Sequence, residues 1–409
     1  MTAAVEETGL GQAAGKAATL VRDSVKTVIA ASMVGTAIEF YDFYAYGTAA
    51  ANYFPHIFFS AKDNPTVALL MSLLTFAIAF IARPLGSLIF GHFGDRMGRK
   101  TTLVVSLMTM GIGTFLIGCL PTYDQVGVGA VAILCLLRFI QGIGLGGEWS
   151  GAALVATENA PEDKRALYGS FPELGAPIGF FLSNGTYFVL ESFNNQDAML
   201  AWGWRVPFLL AGPLGLIVLY IRAKLADSPV YQSMNDALES KGAASADGQI
   251  AAKSGMFAPL AELFHNHLKA LIISFGACVL NAVGFYTVLT YLPTYLSDTV
   301  GMDVPQSGTI TTICLIAYVF MVFGMGHISD KFGRKKVLIG ACVAFIVLTV
   351  PAFLILNTSQ FWPVLLVELA MCATLTANDG TLSSYLTETF PTSVRFTGFA
   401  FSFNLANAI

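Results

Sequence analysis

Glu39, Asp42 and Tyr46 fall at i, i+3 and i+7 of one long apolar segment. Arg138, Gln141, Leu145 and Glu148 follow the same kind of spacing on another. Such spacing places each set on one face of a helix. An ionisable side chain at the centre of a bilayer costs about 2.5–3.5 kcal/mol on insertion scales, so it normally faces a cavity or a partner. Burial favours the neutral carboxyl and a neighbouring arginine favours the ionised one, while a guanidinium such as that of Arg138 stays charged. A movement that alters the carboxylate–arginine distance would therefore take up and release protons. Two facing stripes predict one shared water-filled cavity, with Asp42, Glu39, Arg138 and Glu148 as the proton-handling set. The plain alternative is a static buried ion pair that fixes helix packing. Three acids against one arginine weigh against it.

Arg83 lies 12 residues before Asp95, roughly 18 Å along a helix at 1.5 Å per residue, which puts it near mid-membrane. Two embedded arginines suit a carboxylate, which arginine binds bidentately. Arg83, Arg138, Gln141, Tyr46, Asn281 and Tyr286 form the expected substrate set, with Tyr41, Tyr44, Tyr291, Asn378 and Asp379 as further candidates. Each of these serves helix packing equally well, and Arg83 could instead pair with backbone or with an acid of its own bundle. Glu173, between Pro172 and Pro177, could cap a broken helix or join a polar network.

A second chemistry is repeated. GHFGDRMGRKTTL at 91–103 returns as GHISDKFGRKKVL at 326–338, so that Gly91, Asp95, Gly98, Arg99 and Lys100 correspond to Gly326, Asp330, Gly333, Arg334 and Lys335. Glu158 to Arg165 and Glu388 to Arg395 share the form E-x-x-P-x-x-x-R. Two motif pairs in the same order predict a duplicated bundle. The glycines permit tight turns and close helix approach. Asp95 can cap a helix N-terminus in the opposite half, where the dipole favours an anion. Arg99 can pair with Glu158 and Arg334 with Glu388. Gly91, Asp95, Arg99, Glu158, Arg165, Asp330, Arg334, Glu388 and Arg395 are thus the expected gate, though basic turns also simply hold loops on one side.

The elements that must position these residues are membrane spans. The chain has 409 residues, 55% hydrophobic and only 12% charged, with mean hydropathy +0.66. A soluble domain carries roughly 25% charged residues, so a water-soluble globule is excluded. The net charge of −4 gives no case for nucleic acid. A helix needs about 20 apolar residues to cross a bilayer. Ten full candidates run at roughly 27–54, 66–90, 101–121, 126–157, 166–190, 203–224, 268–295, 307–328, 336–357 and 361–386, and an eleventh starts near Val394. The expected organisation is a cytoplasmic N-terminal tail over 1–26, a six-helix bundle over 27–225, a cytoplasmic linker over 226–267 and an incomplete second bundle over 268–409. Basic residues support the orientation: Arg96, Arg99, Lys100, Lys164, Arg165, Lys331, Arg334, Lys335, Lys336 and Arg395 fall in loops on one face, joined by Lys16, Arg22 and Lys26 of the tail. Arg222, Lys224, Lys241, Lys253 and Lys269 of the linker and its flanks add to that face, and the opposite one holds only Lys62 and Arg205. This is a positive-inside pattern.

Several signals are discounted. Gly142 to Gly147 matches G-x-G-x-x-G but sits inside an apolar helix with no βαβ frame, and reads as helix packing. The six cysteines lie in apolar runs without CxxC spacing, and His265 with His267 is weak support for a metal. HExxH and GxSxG are absent from the sequence. An enzyme, a cofactor and a bound metal are therefore not expected.

GHFGDRMGRK and GHISDKFGRKK resemble the loop 2–3 and loop 8–9 signatures of the major facilitator superfamily. Glu39-Phe-Tyr-Asp42, Arg83-Pro-Leu-Gly86, Arg138-Phe-Ile-Gln141-Gly142 and Gly146-Gly147-Glu148-Trp149 narrow the resemblance to its metabolite:proton symporter family. The resemblance implies an all-α integral membrane fold of two pseudo-symmetric six-helix bundles. It implies a monomeric, multi-pass carrier of the cell (inner or plasma) membrane that imports a small organic acid with a proton by alternating access. It also assigns proton coupling to Asp42 with Arg138, and makes the eleventh span the partner of Asp95. The alternatives are a zwitterion or osmolyte carrier, an uncoupled facilitator, or a sensor built on the transporter fold. Family members have twelve spans, so a chain ending inside the eleventh is expected to be a truncated product or a fragment.

Overall fold

The computed structural model describes residues 25–59, 64–224, 228–234, 236 and 258–408. The expected tail and most of the expected linker lie outside the described residues. Among the described residues the chain is helical, without strands. We number the long helices α1 (Val25–Asn52), α2 (Pro65–Met97), α3 (Arg99–Gly118), α4 (Val128–Glu158), α5 (Gly175–Phe193) and α6 (Val206–Ala223). The second half holds α7 (Leu268–Phe285), α8 (Val304–Phe332), α9 (Arg334–Leu356), α10 (Phe361–Thr389) and α11 (Arg395–Ala408). α7 runs on through π-helical turns at Tyr286–Tyr291 and Tyr295–Thr299.

Among the described residues, eight helical segments are long and apolar enough to cross a membrane by length and composition. α1, α5 and the 14-residue α11 fall outside that set. In α1 the dilution comes from Ser32, Thr36, Glu39 and Asp42, all buried in the bundle and turned away from lipid. Large apolar side chains such as Ile81, Leu216, Phe320, Ile346 and Val350 are exposed instead. So broad an exposed apolar surface fits lipid as its neighbour.

Two boundaries differ from the sequence expectation. The fifth span begins at Gly175, because Arg165–Gly169 forms a separate short helix and Phe171–Leu174 a 3-10 turn opened by Pro172. The end of the expected linker is helical over Ala258–Asn266.

The helix ends follow local chemistry. Asn64 caps α2 by accepting from the Val67 amide at 3.2 Å, with Pro65 at the first helical position. Gly98 (φ 106°) divides α2 from α3, and Gly333 (φ 97°) divides α8 from α9. A β-carbon is disfavoured at such φ values, so the two repeated turns need glycine there.

Glycine also sets how closely α2 packs on both sides. A Cβ at Gly86 would lie 2.0 Å from the Ile143 carbonyl oxygen, and one at Gly146 2.4 Å from that of Arg83, so α2 and α4 touch backbone to backbone. The α4 glycine run serves this contact. Further along α2, a Cβ at Gly91 would lie 2.6 Å from Thr397 Cα, and one at Gly94 would run into the Phe396 ring. There α2 meets α11 of the other half.

Candidate functional site

Away from the repeated turns, three buried acid–arginine pairs occupy the first half among the described residues. In one, Asp42 of α1 lies 3.8 Å from Arg138 of α4. Gln141 joins them: its Oε1 accepts from Arg138 at 2.8 Å, while its Nε2 donates to both Asp42 oxygens at 3.2 and 3.3 Å and to Thr114 at 2.6 Å. The Arg138 guanidinium lies 3.7 Å from the centre of the Tyr46 ring, and Tyr46 and Thr75 share a hydrogen bond of 2.6 Å. Gly113 makes room for Gln141, since a Cβ there would meet Gln141 Cγ at 2.6 Å.

In the second pair, Arg83 of α2 donates to Glu39 of α1 at 3.1 Å. Its Nε donates to Asn404 of α11 at 3.0 Å, which ties this pair to the other half. In the third, Glu148 of α4 meets Arg222 at the end of α6 at 2.6 Å and accepts from Ser106.

A cavity lies between the halves, lined by Glu39, Phe40, Phe43, Arg83, Trp149, Glu173, Asn281, Phe285, Tyr286, Phe403 and Asn407 among others. The space in it open to water is about 50 Å³. On the second-half wall Asn281 donates to Asp379 of α10 at 2.8 Å, and Tyr318 of α8 donates to the other Asp379 oxygen at 2.7 Å. On the first-half wall Glu173 is 5% exposed, and its Oε1 has no hydrogen-bond partner among the described residues.

This arrangement corrects two expectations. The two polar stripes do not share one cavity: Glu39, Arg83, Asn281 and Tyr286 line it, whereas Asp42, Arg138, Gln141 and Tyr46 are packed beside it and Glu148 belongs to a separate pair. Nor do three acids face one arginine. Arg222, counted from the sequence with the basic linker flank, is 2% exposed and takes Glu148, while Arg83 takes Glu39. Of the further candidates, Tyr41 donates to the Pro207 carbonyl and Asn378 to that of Ala277. Tyr44 packs against Phe180, and Tyr291 is exposed.

At the end carrying the repeated turns, two ion-pair clusters join the halves. Asp95 accepts from the backbone amides of Phe396 and Thr397 at 2.9 Å each and from the Thr397 hydroxyl at 2.7 Å, at the N-terminus of α11. It also pairs with Arg99 at 2.7 Å. Glu158 lies 3.6 Å from Arg99 and 2.9 Å from Arg395. In the second cluster Asp330 accepts from the amides of Ala166 and Leu167 at 2.9 Å each and pairs with Arg334 at 3.1 Å. Glu388 stands 3.4 Å from Arg334 and 3.9 Å from Arg165.

Sequence reasoning missed Asn404, Arg222 and the chain after α6. There Ser228 donates to Glu158 at 2.5 Å, Tyr231 donates to the Arg96 carbonyl at 2.9 Å, and the Tyr231 ring lies under Arg99. For Arg222 a signal existed: the excess of buried acids over arginines called for another cation.

Comparison with known proteins places this geometry. The sequence pattern of the family described as sugar (and other) transporter matches residues 27–409. The inner membrane metabolite transport protein YhjE of Escherichia coli is 43% identical over 395 residues, 95% of this chain and 86% of that one. The glycine betaine/proline/ectoine/pipecolic acid transporter OusA of Dickeya dadantii is 35% identical over 382 residues, 93% of this chain and 75% of that one. The proton:xylose symporter XylE bound to 6-bromo-6-deoxy-D-glucose overlays with a TM-score of 0.74 at 19% identity, covering 94% of this chain and 86% of the other. The inward-open form of XylE from E. coli overlays with 0.60 at 20% identity, over 94% and 88%. The chain belongs to the sugar (and other) transporter family of the major facilitator superfamily and is a multi-pass membrane transporter of metabolites.

Proposed function

We propose that the chain imports a small zwitterionic metabolite together with a proton. The observation that carries this is the charge of the cavity wall: among the described residues its one lining arginine, Arg83, is already matched by Glu39, and Glu173 has no counter-ion. An organic dianion would meet no spare positive charge there. A zwitterion could share Arg83 through its carboxylate and rest its ammonium group against the faces of Trp149, Tyr286 and Phe40. The specificity named for OusA, toward betaine and proline, supports this reading over the organic acid expected from the sequence.

The turn-bearing end, rich in Lys and Arg, faces the cytoplasm by the positive-inside rule. Both ion-pair clusters are formed there, so the site is shut on that side and would be served from outside. Opening inward means parting Asp95 from α11 and Asp330 from the Arg165–Gly169 helix. Proton coupling falls to Asp42, whose contacts with Gln141 and Arg138 reach from α1 to α4 and change when the helices move.

The test is thermal unfolding of purified protein with glycine betaine, proline, succinate or 2-oxoglutarate, since a ligand stabilises the state it binds. Stabilisation by betaine or proline is expected; stabilisation by the dicarboxylates alone would return the substrate to the organic acids. Asp42→Asn should abolish uphill uptake into proteoliposomes yet spare counterflow. Loss of both would move Asp42 to substrate binding, retention of both would move proton coupling to another carboxyl, and a wild-type protein without uphill uptake would be an uncoupled facilitator.

A further inference from the structure

α3 and α6 meet closely at the end of the bundle opposite the repeated turns. A Cβ at Gly118 would lie 3.0 Å from side-chain atoms of Phe208 and Leu209, and one at Gly212 would lie 2.8 Å from the Phe115 ring. Deeper along the same two helices a Cβ at Gly111 or Gly215 would meet nothing within 4 Å. A groove of about 350 Å³ opens there on the outside of the bundle. Leu107 and Ala211 are buried at its floor, while Phe115 and Leu216 stand exposed at its rim. No polar side chain lines it.

A cation stands at the mouth of this groove. Arg205, in the Gly203–Arg205 turn that leads into α6, donates from Nη1 to the carbonyl oxygens of Gly118 and Leu120 at 2.9 and 2.5 Å. Those bonds hold the guanidinium at the last turn of α3. Its Nε and Nη2 make no hydrogen bond among the described residues, and no acid among them pairs with it. Trp202, whose carbonyl accepts from the Arg205 amide at 3.0 Å, is exposed, as suits an aromatic at the membrane–water boundary. Leu107, at the far end of the groove, is 11 residues from Gly118, about 16 Å along α3 at 1.5 Å per residue. Half of the hydrocarbon core of a bilayer is about 15 Å deep. The groove therefore runs from the guanidinium to the middle of the bilayer, through the depth of one leaflet.

We propose that this groove binds one anionic phospholipid from the leaflet opposite the repeated turns, with an acyl chain lying between α3 and α6 and the phosphate on Arg205. The depth of the groove matches the chain, and its apolar lining gives that chain the surface it needs. The two unused donors of Arg205 match a phosphate, which arginine binds through charge-assisted hydrogen bonds. A headgroup that carries its own ammonium would bring a second cation to a place with no acid to receive it. A second copy of the chain, seated on this face by two-fold symmetry, would bring another Arg205 to the same level. The site is independent of which metabolite is carried.

The test is native mass spectrometry of the purified full chain with phosphatidylglycerol or phosphatidylcholine of identical acyl chains. One phosphatidylglycerol should be retained about fivefold more tightly than phosphatidylcholine, the equivalent of roughly 1 kcal/mol for one basic residue at an anionic lipid surface. Arg205→Gln should abolish that preference. Gly111→Leu together with Gly215→Leu places side chains in the open groove and should weaken retention of both lipids. Equal retention of the two lipids by the wild-type protein, or a preference that survives Arg205→Gln, overturns the proposal. So does retention that groove filling leaves unchanged. A dimer that groove filling breaks apart would give the face to a second copy and refute the lipid. If Arg205→Gln fails to fold for want of its two carbonyl contacts, Arg205→Lys keeps the charge. A preference kept in that variant supports the site, and a preference lost refutes it.

Discussion

The Asp95 turn and the Asp330 turn come from one repeated sequence, yet they sit in different solvents. Around the first, Arg99 and Asp95 have fully buried side chains and that of Glu158 is 1% exposed; around the second, Glu388 is 37% and Arg334 19% exposed. Asp95 takes three hydrogen bonds from the start of α11, while Asp330 takes two from a helix of only five residues. The first cluster is also covered by Ser228 and Tyr231. Removing one partner of a buried ion pair costs about 3–5 kcal/mol, whereas an exposed pair contributes roughly 0–1 kcal/mol. Identical motifs therefore carry unequal weight, and on the gate reading proposed above the Asp95 side would be the one that holds the face shut.

The comparison can be broken from the top. Asp95→Ala should favour the opened face by about 3 kcal/mol or more, roughly a hundredfold in population at about 1.4 kcal/mol per tenfold. Alkylation of a cysteine placed at Thr387, beside the seam, reads this directly, and an unchanged rate would show that the burial contrast has no functional weight. Next, Ser228→Ala removes a hydrogen bond to a charged group, about 1.5–3 kcal/mol, and should give the same effect in weaker form. An alkylation rate equal to wild type would reduce the chain after α6 to a bystander. Smallest is Glu388→Gln, expected at or below about 1 kcal/mol and fading as salt screens exposed charges. An effect as large as that of Asp95→Ala, or one insensitive to salt, would make the two clusters equivalent after all.

Much of the fold was legible because its signals are local: apolar runs of span length, Gly98 and Gly333 at positive φ, and acids and bases repeated at fixed offsets. The pairing inside the bundle was not. Glu39 meets Arg83 across 44 residues, Glu148 meets Arg222 across 74, and Asp42 meets Gln141 across 99. Helical spacing says which face a residue occupies, not which neighbour that face meets. Arg222 was misread for a related reason: at the end of a span, one arginine looks the same whether it turns into the bundle or out to water. Glu173 was ambiguous because the prolines around it hide where its turn points.

The glycines of α2 carry one more consequence, for which variants a cell would ever see at work. Gly86 presses on α4 inside one half, a contact made once during assembly. Gly91 and Gly94 press on α11, a contact that the proposed cycle would make and unmake each time. A methyl group at position 86 would spoil the joining of two helices, and the product would be lost to quality control. On that cycle, the same methyl at position 91 would leave a finished protein in the membrane whose closing contact with α11 is spoiled. One helix thus carries two kinds of fragility, one screened out at birth and the other visible only as a leak.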